Sequence, residues 1–230
     1  MVRSMVIKEL WDVRGILVLG VLAHVMVLAN LLGATFPDWI PNREQNQLPF
    51  PGYFPGILAA YSGFFAAAVG LMQGWSDQRG QRWLFILPQP ITRDGFILGK
   101  LVIGLSLGIG LYVLTLFLGV MIVRIPGVMP APFEWWMTRS SWFFFFLIPS
   151  VYLGGFLSGI MKASWFGTKL MPLIGATMIS LLVIAGIPGA EGDLYLEHYP
   201  YLPLQVTLFL GLCFLMTKTI LNISRERDYP

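Results

Sequence analysis

The stretch "RDGFILGKLVIG", residues 93–104, decides how the chain is read. It contains Gly95-x-x-x-Gly99-Lys100, which at first sight suggests part of a phosphate-binding loop. That loop needs four residues between its glycines, then Lys and Ser or Thr, following a strand. Here three residues separate the glycines, Leu101 follows Lys100, and the stretch runs on into a long apolar segment. No other sequence of that kind occurs, so the polypeptide itself is not expected to bind ATP. Residues 93–104 read instead as the start of a membrane helix. Thr92 is its expected N-cap, and Asp94 falls in the first turn, where the helix dipole favours an anion.

The rest of the chain agrees with a lipid solvent. Of 230 residues, 56% are hydrophobic and 12% charged, with a mean hydropathy of +0.71. Soluble domains carry about 25% charged residues. A bilayer-crossing helix needs ~20 apolar residues, and six windows qualify, at about 16–34, 56–73, 96–123, 142–160, 171–187 and 202–221. None contains Asp, Glu or Arg; Lys100 and Lys218 lie near window ends, where they are expected to snorkel to the interface. Backbone polar groups in hydrocarbon must pair internally, and runs such as "SWFFFFLIPS" do not alternate as barrel strands do. The predicted fold is an all-α polytopic membrane protein, one transmembrane domain over residues 1–230. The third window is long for one crossing, so it either tilts or projects its first turns into the cytoplasm. Pro149 falls within the fourth window and is expected to kink it.

Orientation follows from Lys and Arg. With the N-terminus inside, twelve of the fifteen fall in inner segments, and only Arg43, Arg124 and Arg139 fall outside. Both termini are therefore expected in the cytoplasm. The net charge of +3 reflects this bias and gives no reason to invoke nucleic acid. The first window is preceded by Glu9 and Asp12 and lacks a small-x-small cleavage site, so it is not read as a cleavable signal peptide. Residues 1–14, with Lys8, Glu9, Trp11 and Arg14, suit a short interfacial helix ahead of the first span. The three outer loops are too short for an extracellular domain.

Few residues offer chemistry. Cys213 is the single cysteine, within the last window, and reads as an inert buried thiol. His198, in an outer loop beside Glu197, reads as solvated, and two histidines with one cysteine assemble no metal site. His24 and Asn30 in the first span are the candidate intramembrane polar site. For His24 the favoured role is an interhelical hydrogen bond, because no span supplies a carboxylate partner. Small residues four apart, Gly104 with Gly108 and Gly155 with Gly159, are candidate helix contacts. No cofactor is expected, and no polar constellation within the spans points to an intramembrane enzyme.

The longest inner loop carries the most specific pattern. It reads Asp77-Gln78-Arg79-Gly80, then Leu84–Pro88, then Ile91-Thr92-Arg93, then Ile97-Leu98-Gly99-Lys100-Leu101. This order, with "KELWDVRG" at residues 8–15, resembles the membrane subunits of ABC-2-type exporters. The specific match covers about the first hundred residues; beyond them the likeness is one of topology. Trp83 stands where the family often has Glu, and the 188–201 loop is short for the family's re-entrant helices. The resemblance implies a permease subunit in the plasma membrane of a bacterium or archaeon. It implies pairing with a second permease subunit, identical or not, and with a separate cytoplasmic ABC ATPase. Asp77, Arg79, Gly80, Arg82, Pro88, Thr92 and Arg93 would form the contact that receives the ATPase stroke, helped by the interfacial helix. The scarcity of ionisable groups in the spans is consistent with an external energy source. The alternative is a non-transporting membrane scaffold or assembly factor.

Overall fold

A computed structural model describes residues 2–31, 54–76, 92–125, 132–162, 165–185 and 202–226. All the regular structure among them is helical: α1 (Val2–Leu31), α2 (Phe54–Ser76), α3 (Arg93–Val123), α4 (Arg139–Phe145), α5 (Leu147–Ile160), α6 (Phe166–Ala185) and α7 (Leu202–Glu226), with a 3₁₀ turn at Trp135–Thr138 before α4. Six candidate spans result, α4 and α5 making one together. The coupling residues Asp77, Arg79, Gly80, Arg82 and Pro88 lie outside the described residues, as does His198.

Two expectations are corrected here. The interfacial helix expected over residues 1–14 is not a separate element: from Val2, α1 runs unbroken through Trp11 and Arg14 into the span. No proline interrupts it, and its Glu9, costly in an apolar setting, is buried against a partner. The thirty-residue helix is roughly 45 Å long, well beyond a ~30 Å hydrocarbon core. The fourth span does not merely bend at Pro149 but breaks three residues earlier, at Phe146. Proline has no N–H for the carbonyl four residues back and crowds it. At the break Phe146 N bonds the carbonyl three residues back, Phe143 O, at 3.3 Å.

The bundle is organised around α2 and α5, which run parallel at backbone contact. A Cβ on Gly155 or Gly159 would lie 2.6 Å from the carbonyl of Ala67 or Leu71, and one on Gly70 would lie 2.8 Å from Phe156 N. Gly155 and Gly159 therefore do form a helix contact, and their partners are Ala67, Gly70, Leu71 and Gly74 of α2. Against α5, α6 runs antiparallel, tied by the Ser150–Ser180 hydroxyl pair at 2.6 Å. Pro172 lies inside α6, and the N–H of Leu173 next to it donates to Ser158 Oγ of α5, 3.1 Å. Helices α1 and α3 flank α2, while α6 and α7 bury the smallest share of their apolar windows. Their outer faces, with Met171, Leu182, Leu208 and Phe214, are exposed as lipid-facing surfaces are. The side-chain pairs place the starts of α1, α3 and α6 and the ends of α2, α5 and α7 at one end of the bundle, called the base below.

Candidate functional site: a buried polar node at the base

Four polar side chains from four helices meet at the base, all fully buried: Glu9 of α1, Gln73 of α2, Lys100 of α3 and Tyr152 of α5. Glu9 lies in the second turn of α1, Gln73 in the last turn of α2 and Lys100 in the second turn of α3. The antiparallel run of α2 against α1 and α3 puts these positions at one depth.

Lys100 Nζ lies 3.3 Å from Glu9 Oε1, and Gln73 Nε2 donates to Glu9 Oε2 at 3.2 Å. The Tyr152 hydroxyl donates to Gln73 Oε1 at 2.7 Å, with the Lys100 carbonyl 3.4 Å away. The ring thus closes from Tyr152 through Gln73, Glu9 and Lys100 back to Tyr152. Lys8 approaches the same Glu9 oxygen as Lys100, at 3.7 Å. Both ammonium groups stand over the Phe96 ring, 5.5 and 5.3 Å from its centre. Glu9 Oε1 accepts no well-directed hydrogen bond, so the two lysines hold it by charge alone.

Burial of two opposite charges costs several kcal/mol per ion on the order of what their attraction returns, and is tolerated only when both are paired. The node meets that condition. Its geometry also explains Gly104, one turn past Lys100. A Cβ there would collide with the Tyr152 hydroxyl and with Gln73 Oε1. Gly104 makes room for a polar pair, a different role from the helix–helix contact its spacing suggests. Lys100 also departs from expectation, since it points into the bundle where snorkelling was predicted. Coulomb attraction in a low-dielectric interior, with an aromatic face beside it, outweighs hydration at the interface.

The entrance to α3 is built as its sequence predicts. Thr92 is the N-cap, its Oγ1 accepting from Gly95 N at 3.2 Å, and Asp94 sits in the first turn. Arg93 opens the helix. Asp94 is further held by Arg225 at the end of α7, whose Nε lies 3.1 Å from each carboxylate oxygen and whose Nη2 also bonds Oδ2. Trp11 is 62% exposed, with Arg14 stacked on its ring at 4.7 Å, so this part of α1 faces outward while Glu9 faces in.

His24 lies fifteen positions beyond Glu9 on α1, roughly 22 Å along the helix, and takes no part in the node. Its Nδ1 lies 2.7 Å from the Gly20 carbonyl, which makes Nδ1 the protonated nitrogen. Nε2 then accepts from Ser62 Oγ of α2 at 2.8 Å. This is the interhelical tie expected for it. Asn30 is buried nearer the other end of α1, and its Oδ1 has no partner among the described residues. His24 and Asn30 are not brought together by any bond among the described residues. Sequence reasoning named Lys100 and Glu9 in other roles and missed Gln73, Tyr152 and Ser62. The available signal was depth: Glu9, Gln73 and Lys100 each lie within two turns of the helix end that faces the base.

Comparison with family models, with curated proteins and with solved structures gives no match.

Proposed function

We propose that this chain is the permease subunit of an ATP-driven exporter of the ABC-2 type, moved by a separate cytoplasmic ATPase. The observation that supports it most is the node's position. Lys100 lies about two turns beyond Arg93 and Thr92, where the segment that would receive the ATPase stroke becomes α3. Through Glu9, Gln73 and Tyr152, that turn is bonded to α1, α2 and α5. A push on residues 77–93 is then delivered to four helices together, which is what a coupling element requires. In this reading both termini face the cytoplasm, a second permease subunit completes the translocation path, and ATP is hydrolysed by the partner.

The test is gentle extraction of the chain and identification of what copurifies. A cytoplasmic ATPase is expected, and the triple variant R79E/R82E/R93E is expected to lose it. Normal association and coupling in that variant would displace the assigned contact. A chain that binds no ATPase and drives no ATP-dependent efflux from vesicles would be a scaffold instead.

A further inference from the structure

The turn joining α5 to α6 carries a basic and aromatic patch that the transporter reading leaves unused. Lys162 is exposed just past the end of α5, and Lys169 lies in the first turn of α6. The sequence from residue 160 to 190 contains no acidic residue. Among the described residues, neither lysine lies within ion-pair distance of an acid. Two exposed indoles lie at the same end of the bundle: Trp165, between the lysines in sequence, is 69% exposed and Trp75, at the end of α2, is 42% exposed. Lys169 Nζ stands over the Trp75 ring at 5.5 Å from its centre, reaching from α6 across to α2.

The position of Trp165 is built in. A Cβ on Gly167 would lie 2.7 Å from its Cζ3, so the ring occupies the space that glycine leaves free. Both tryptophans end apolar candidate spans. Indoles at span ends settle at headgroup depth, which puts the two ammonium groups level with lipid phosphates rather than out in the cytoplasm. An ammonium held over an indole stays available to a phosphate on its other side, because its three N–H donors cannot all face one ring.

We propose that this turn is a binding site for the headgroup of an anionic phospholipid, with Lys162 and Lys169 on the phosphate and Trp75 and Trp165 at the glycerol boundary. Charge selects the lipid class: each cation near the surface favours an anionic lipid by roughly fivefold. The site is independent of the exporter reading, since it concerns the chain's lipid shell and not its partner ATPase.

The experiment places the full chain in phosphatidylcholine bilayers and compares the motional restriction of spin-labelled phosphatidylglycerol with that of spin-labelled phosphatidylcholine. The wild type is expected to prefer phosphatidylglycerol. Lys169→Gln should lower the preference about fivefold, K162Q/K169Q should remove the part due to the turn, and K162R/K169R should keep it. Raising salt should weaken the preference, as it screens exposed charge. Three results would overturn the site: no preference in the wild type, a preference undiminished in K162Q/K169Q, or an equal loss on neutralising Lys218, which is exposed near the end of α7. If K162Q/K169Q kept its lipid preference but lost a copurifying soluble protein, the occupant would be that protein, and the lipid assignment would fall.

Discussion

Two ion pairs tie the start of α3 to other helices, and they differ in almost everything else. Glu9–Lys100 joins α3 to α1 with both side chains fully buried. Asp94–Arg225 joins it to α7 at the surface, with Arg225 60% exposed. The surface pair has the better hydrogen-bond geometry, yet water and salt can replace each of its bonds. The buried pair has a longer contact and no such replacement. Position, more than bond count, decides which pair the fold depends on.

The comparison can be broken most directly at Lys100. Lys100→Ala leaves the buried Glu9 carboxylate with the Gln73 amide and the half-exposed, more distant Lys8, and should cost about 3–5 kcal/mol, read as a lower unfolding midpoint in detergent. The double variant E9Q/K100M removes both charges and should recover most of that loss. If Lys100→Ala were no worse than loss of the surface pair, the node would not be the stronger tie.

The next effect tests whether backbone packing rivals the node. Gly70→Ala sets a methyl against the Tyr152 carbonyl and Phe156 N and must part α2 from α5. A cost of about 1–3 kcal/mol is expected from such overpacking, with the same midpoint as readout. A neutral substitution would show that the seam yields easily.

Ser62→Ala probes an uncharged buried tie. It removes the donor to His24 Nε2, and a loss of about 1 kcal/mol is expected. Its effect should fall below that of Lys100→Ala because no charge is left without a partner. Smallest of all is Asp94→Asn, whose effect on the midpoint should be slight in dilute buffer and vanish in molar salt. A salt-independent loss there would mean that the surface pair is shielded in the assembled bundle.

How much of this was legible in the sequence differs by region. The six spans were, because hydropathy alone reports them: the window at 56–73 became α2 at residues 54–76, and the window at 202–221 became α7 at residues 202–226. Thr92 and Asp94 were also legible, since a cap is a local event within four residues. The break at Phe146 was signalled by Pro149, but its position depended on which carbonyl lost its partner. The node was not legible. Lys100 and Glu9 lie 91 positions apart, and each taken singly reads as a polar residue near the end of an apolar run.

The sequence by itself determined the solvent, the number of spans and where each begins to be apolar. These depend on composition summed over ~20 residues, and no neighbour changes that sum. Only the tertiary structure decided which polar side chains face inward. That outcome depends on the rotation of each helix about its axis, set here by close contact along the α2–α5 glycine seam. The seam places Gln73 and Tyr152 side by side, and Glu9 and Lys100 complete the ring from either flank. A lysine that hydropathy assigns to the interface thus becomes the buried centre of the base.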